Sequence, residues 1–262
     1  MIERLRYYAG LLNWGDDVNV DIYEQIAGKP PIKMHVLDNS PIEHIMMVGS
    51  ILSFANEHSV VWGAGFMHKQ SGMAGMPKKI TAVRGPLTLK RLQELGFDGK
   101  VVFGDPTLLL KRFICDEYDG YPIEPAHWEG GVIDFEYGVI PHYMDRKTIE
   151  GWPDDILFID IQERDFECIY DKVLACNKII SSSLHGLILA DMFDKPALWV
   201  KLSNNLAGDD MKFHDYFASI GRKDVEYFDL RGGYDDSVKD AFKPYKVKID
   251  LDALHEACPL IQ

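Results

Sequence analysis

The feature that most restricts the fold of this chain is alternation. Short apolar, strand-like runs occupy residues 4–8, 44–49, 59–65, 79–85 and 100–106, then 137–143, 155–161, 177–183, 197–202 and 225–230. Stretches with helical spacing lie among them. Residues 86–96 open with Pro86 and close at Gly96. Residues 165–177 put Phe166, Ile169, Val173 and Leu174 on one face and close at Asn177, and 213–221 close at Gly221. Alternating strands and helices predict an α/β chain, with parallel sheets covered by helices on both faces. The pattern lapses over 110–131, which reads as irregular and is rich in Tyr, Pro and Gly. Dividing the chain there gives residues 1–118 and 119–262, each of ordinary domain size. The expectation is two Rossmann-like domains facing a cleft.

Composition narrows the partners. A formal net charge of −13 repels nucleic acid and anionic lipid, and the one short basic run, Lys78–Lys79 after Pro77, is too small to reverse that. No apolar stretch reaches the eighteen or so residues of a membrane helix. Glu3, Arg4 and Arg6 interrupt any signal-like apolar segment at the start. The four cysteines form no C-x-x-C pair, so zinc-ribbon and thioredoxin-like chemistry is not expected. These features predict a soluble, cytoplasmic protein with no integral membrane segment and reduced thiols.

In open α/β sheets, ligands bind beyond the carboxyl ends of strands, where helix N-termini present amides and a positive dipole end. Two turns meet that description. In "SSSLHG" (181–186), Ser181, Ser182 and Ser183 offer hydroxyls and Leu184 begins a helix. Gly186 leaves room for a ligand, and His185 lies in the first helical turn. A phosphate or carboxylate bound there favours protonated His185, which suits a general acid. The plainer reading makes Ser183 a helix cap and His185 a satisfied polar residue. In "AVRGPLT" (82–88), Arg84 ends a strand and can hold anionic oxygens in a bidentate fork, or else form an internal salt bridge.

Other strand-end turns are candidates for auxiliary roles. Asn13, Asp16 and Asp17 precede a helix predicted from residue 20, where a cap explains one side chain and a sugar or magnesium contact another. Asp105 is placed to orient a neighbour, and His142 lies near the expected entrance between domains. The glycine-rich turn 62–66 lacks the spacing of dinucleotide or ATP loops. No G-x-S-x-G elbow and no metal-binding histidine spacing occurs.

With those turns in view, the chain resembles the polysaccharide pyruvyltransferase family. The matching pieces are "NWGDD" (13–17), "GSIL" (49–52), "VWGAGF" (61–66), "AVRGPLT" (82–88), "FGDPTLLL" (103–110), "IPHY" (140–143), "SSSLHGLILAD" (181–191) and "KFHDYF" (212–217). The resemblance implies a GT-B-like pair of domains. It also implies transfer of a pyruvyl group from phosphoenolpyruvate to two sugar hydroxyls as a ketal, on a cell-surface or exopolysaccharide unit. The acceptor can be lipid-linked, which would bring the protein to the inner face of a membrane. His185 is then the general acid or an essential phosphate contact. Arg84 and Ser182–Gly186 would clamp the donor, with Asn13, Asp16, Asp105, His142 and Lys212 auxiliary. The resemblance implies neither metal nor cofactor. Many members carry Arg where this chain has Ser183, so one cation is missing, and Lys201 or Lys212 would have to replace it. Competing expectations are a nucleotide-sugar glycosyltransferase and a non-catalytic sugar- or anion-binding protein.

Overall fold

A computed structural model describes residues 2–118 and 135–261. In chain order its strands and α-helices are β1 (Arg4–Tyr7), α1 (Trp14–Ala27), β2 (Ile32–His35), β3 (His44–Met46), β4 (Ser59–Trp62), β5 (Lys79–Val83), α2 (Pro86–Glu94), β6 (Val102–Phe103) and α3 (Leu110–Tyr118). They continue with β7 (Phe135–Ile140), β8 (Ile156–Phe158), α4 (Phe166–Leu174), β9 (Cys176–Ser181), α5 (Leu184–Met192), β10 (Ala197–Lys201), α6 (Met211–Ser219), β11 (Phe228–Asp229) and α7 (Leu251–Glu256). The protein is α/β, with two sheets in which every pairing is parallel.

The chain divides into two compact units. One comprises the residues through Leu109 together with Ala207–Val225 and the segment from Val247. The other comprises Leu110–Leu206 and Glu226–Lys246. A single cut after residue 118 therefore does not describe the grouping, because α6 and α7 belong with the first sheet. Trp62 shows why the tail goes there: its buried indole Nε1 donates to Leu254 O at 2.9 Å, deep in the first unit.

The first sheet has the order β2-β1-β3-β4-β5-β6. Its inner strands β3 and β4 are buried at every position, as strands covered on both faces must be. The second sheet runs β11-β10-β9-β7-β8. Counted from the first strand of each unit, the six-stranded sheet has the doubly wound order 2-1-3-4-5-6 and the five-stranded sheet the order 2-1-3-4-5. The order in which successive strands are added reverses between β1 and β3 in one, and between β7 and β9 in the other. Those are the topological switch points, where the loops part and leave a crevice at the strand ends.

Local boundaries differ from the sequence expectations for definable reasons. α1 starts at Trp14, not near residue 20, because Asn13 caps it. The Asn13 Oδ1 accepts from Gly15 N at 3.1 Å, and Asp17 Oδ2 accepts in turn from Asn13 N at 3.3 Å. α4 ends at Leu174, and Asn177 lies within β9. Residues 110–118, read as irregular, form α3; the rest of that segment, with the expected boundary at 118/119, lies outside the described residues. β2 was not anticipated: it is an edge strand with Ile32 and Lys33 exposed, so it lacks the apolar signature of its neighbours. Cys168, Cys176 and Cys258 are free thiols. Among the described residues no helix is long and apolar enough to cross a membrane.

Candidate functional site

In the first unit the switch point is built by α1 packing on the end of β3. Asn19 fixes the two together: its Nδ2 donates to Val48 O at 3.2 Å, and its Oδ1 accepts from Val48 N at 2.9 Å. This holds Asp16 beside Gly49, with Oδ1 3.9 Å from where a Cβ on that glycine would stand. Gly49 has φ +114°, a conformation that only glycine adopts without strain. Asp16 is half-buried, and burial first, then the adjacent Asp17, push its carboxyl up to about 7, with Lys212 opposing. Lys212 reaches this neighbourhood from α6; it is 8% exposed and its Nζ lies 5.3 Å from the centre of the Phe213 ring. Tyr7, at the end of β1, has its phenol shifted upward by burial and by the charges of Asp17 and Asp16. The switch point thus gathers Asn13, Asp16 and Lys212 in one unit, with one carboxyl poised near neutral pH.

Arg84 has a different surrounding from the one a ligand fork needs. It is 1% exposed, and its Nε donates to Asp215 Oδ2 at 3.1 Å. Its Nη1 donates to Ser50 Oγ at 2.8 Å and its Nη2 to Phe66 O at 2.6 Å. Asp215, fully buried on α6, also accepts from Leu87 N at 2.8 Å, Thr88 N at 3.0 Å and Thr88 Oγ1 at 2.6 Å. The arginine and helix N-terminus attract an anion, as the sequence suggested, but the anion they hold is the chain's own carboxylate. The glycines around them serve the same packing. A Cβ on Gly85 would stand 2.1 Å from Asp215 O, and one on Gly65 would stand 2.5 Å from Arg84 Cζ. Asp105 is buried and accepts from Thr107 N at 3.0 Å; burial moves its carboxyl upward, offset by Thr107 and Arg84. That bond fixes the turn around Pro106.

In the second unit the switch point is the "SSSLHG" turn between β9 and α5. Ser181 Oγ is fully buried and donates to Ile140 O at 2.7 Å or Ser183 O at 3.0 Å, while accepting from Ser183 N at 3.0 Å. Ser182 Oγ accepts from His142 N at 2.9 Å and donates to Asp145 Oδ2 at 2.7 Å. Two of the three hydroxyls therefore knit the ends of β7 and β9 together across the switch point. Gly186 is explained by the same closeness: a Cβ there would meet Ser181 Oγ at 2.4 Å and Ile140 Cγ2 at 2.7 Å. Its missing side chain admits the neighbouring strand, so room for a ligand is not its reason.

The third hydroxyl is different. Ser183 is the N-cap residue of α5 and is 3% exposed, yet its side chain makes no capping bond. The amides of Leu184 and Gly186 have no intrahelical acceptor either, since Leu187 N makes the first such bond, to Ser183 O at 3.1 Å. Leu184 is buried, and His185 is the one residue of the turn with partial exposure. His142 is half-buried on the adjoining loop, with its Nδ1 accepting from Met144 N at 3.3 Å and its ring 4.4 Å from that of Tyr143. Lys201 Nζ sits 4.3 Å from the Tyr227 ring centre, and Lys212 belongs to the first unit.

Sequence reasoning missed Asp145, Asp215 and Asn19, three buried polar residues that hold these turns. The "KFHDYF" piece contained Asp215, but nothing in its spacing pairs it with Arg84, 131 positions away.

A model of the polysaccharide pyruvyl transferase family matches residues 38–204 of the chain. An uncharacterized protein of Acanthamoeba polyphaga mimivirus is 33% identical over 230 residues, covering 85% of this chain and 76% of that protein. The succinoglycan biosynthesis protein ExoV of Rhizobium meliloti (strain 1021) is 24% identical over 220 residues, covering 80% of this chain and 62% of that protein, less than two thirds of its length. No solved structure matches.

Proposed function

Because the chain belongs to the polysaccharide pyruvyl transferase family, we propose that it moves a pyruvyl group from phosphoenolpyruvate onto two hydroxyls of a saccharide to form a ketal. The observation that supports this most directly is the start of α5. The Ser183 hydroxyl, which makes no capping bond, and the Leu184 and Gly186 amides, which lack intrahelical acceptors, flank the partly exposed His185. That set suits a phosphate or carboxylate bound beside a proton donor.

His185 gives a proton to the methylene carbon of the donor, leaving an oxocarbenium-like centre at C2. One sugar hydroxyl attacks C2 and loses its proton. The bond from C2 to the phosphate oxygen breaks and phosphate departs. The second hydroxyl then attacks C2 and loses its proton, closing the ketal. Amides and the Ser183 hydroxyl stabilise charge on the departing phosphate. Asp16, with its carboxyl near neutral, is the group assigned to receive a proton from the sugar, with Asn13 and Lys212 beside it. Arg84 enters as a positioning residue, since its partners are internal. The acceptor in this reading is a polysaccharide unit, in keeping with the family.

The test is thermal unfolding with phosphoenolpyruvate, UDP, GDP or inorganic phosphate, repeated on His185→Ala and Ser183→Ala. A ligand at a hundred times its Kd stabilises by about 2.7 kcal/mol, which in a chain of this size raises the midpoint on the order of 5 °C. A shift with phosphoenolpyruvate that falls in both variants, followed by acceptor-dependent phosphate release, supports the reading. A shift with a nucleoside diphosphate alone would replace it with a glycosyltransferase.

A further inference from the structure

Asp145 carries no role in the reading above, yet it is the most fully enclosed carboxylate of the second unit's strand-end loops, at 0% exposure. It sits in the 3-10 turn Tyr143–Ile149 that follows β7, with its amide donating to His142 O at 2.7 Å. Among the described residues no lysine, arginine or histidine pairs with it. Its two oxygens are satisfied by two serines. Ser182 Oγ donates to Oδ2 at 2.7 Å, and Ser203 Oγ donates to Oδ1 at 2.5 Å.

Each serine is polarised from behind by a backbone amide. His142 N donates to Ser182 Oγ at 2.9 Å, and Asn205 N donates to Ser203 Oγ at 2.9 Å. Two directed chains thus run from amide through hydroxyl to carboxylate and converge on one buried charge. Hydrogen bonds to an ionised acceptor are the strong ones, and a buried charge left with fewer donors is costly. The loops so joined follow β7, β9 and β10, which are neighbours in the sheet. The middle loop is the Ser182–Gly186 turn.

We propose that Asp145 is the positioning residue of that turn: by drawing in Ser182 and Ser203 from opposite sides, it fixes where the α5 amides, Ser183 and His185 stand. The inference rests on the site assignment made for the pyruvyl transfer reading, but its structural half is testable without turnover. A carboxylate is required because both partners present hydroxyl hydrogens. Asparagine offers one carbonyl oxygen and turns an NH2 toward the other serine.

The experiment is residue-resolved amide hydrogen exchange on the full chain, in wild type, Asp145→Asn, Asp145→Ala, Ser203→Ala and Asp145→Ala/Ser203→Ala. The reporters are the amides of His142 and Ser183, bonded to Ser182 Oγ and Ser181 Oγ. Losing a hydrogen bond to a charged group should speed their exchange about tenfold in Asp145→Ala, less in Asp145→Asn, while amides of β3 in the first unit stay unchanged. Ser203→Ala touches neither reporter, so a smaller acceleration there, absent when Asp145 is already alanine, shows transmission through the carboxylate. Unchanged reporters in Asp145→Ala, or acceleration spread evenly over the unit, would overturn the proposal. Should Asp145→Ala not fold, the Ser203→Ala result alone decides it in the same way. Where wild type turns over phosphoenolpyruvate, Asp145→Asn should lower kcat/KM on the order of 10- to 100-fold, as small misplacements of reacting groups do. If wild type shows no such turnover, the functional reading fails while the exchange result still stands.

Discussion

Replacing Arg84 with methionine separates a structural arginine from a ligand-binding one. The side chain is 1% exposed and its partner Asp215 is 0% exposed, so solvent and salt screen the pair little. Methionine keeps most of the volume but leaves a buried carboxylate with only Leu87 N, Thr88 N and Thr88 Oγ1 as donors. It also strands Ser50 Oγ and Phe66 O. Breaking a buried pair from one side costs roughly 3–5 kcal/mol. At about 2–4 °C per kcal/mol for a chain of this size, the midpoint should fall on the order of 10 °C. The double variant Arg84→Met/Asp215→Asn removes both charges while keeping an acceptor oxygen for the α2 amides. It should recover a large part of the loss, giving a coupling energy of about 2 kcal/mol in a double-mutant cycle. Differential scanning calorimetry at low and high salt measures both. An Arg84→Met midpoint within about 1 °C of wild type, together with loss of phosphoenolpyruvate binding, would refute the internal-anion account and return the guanidinium to the ligand.

Three further outcomes follow from the geometry. Burial raises the Asp16 carboxyl from 3.8 to about 7, so between roughly pH 4 and 7 the unfolded chain releases a proton that the folded chain keeps, and stability falls as pH rises through that window. Asp16→Asn should gain on wild type in urea midpoint from about pH 4 to pH 8, and a difference that stays constant with pH would contradict the assignment. Gly186→Ala should cost about 1–3 kcal/mol through overpacking against Ser181 and Ile140, read by urea unfolding, and a neutral substitution would mean that α5 shifts freely. Ser183→Ala should change stability by less than about 0.5 kcal/mol, below the usual cost of a lost N-cap, because no capping bond exists to lose. A larger drop in unfolding midpoint would show that the hydroxyl is engaged internally.

Much of this architecture could be read without coordinates. The apolar runs around Ile45, Val60, Ile80, Val139, Ile180 and Val200 became parallel strands because residues buried on both sheet faces must be apolar throughout, which leaves a local signal. The Ser181–Gly186 turn and Asp16 were legible for a related reason: strand-to-helix turns are local, and their hydroxyls, glycines and acids stand out between apolar runs. The sequence by itself thus determined an α/β chain with polar turns at its strand ends. Only the tertiary structure decided what those turns hold. Arg84 meets Asp215 across 131 positions, and Ser182 meets Asp145 across 37. Asn19 meets the Val48 backbone across 29. Such pairs leave no periodicity, because a buried polar group is satisfied by whatever donor or acceptor packing brings to it, regardless of separation along the chain. That is why one predicted anion site is filled by the chain's own carboxylate while at the other the Ser183 hydroxyl makes no capping bond beside a histidine.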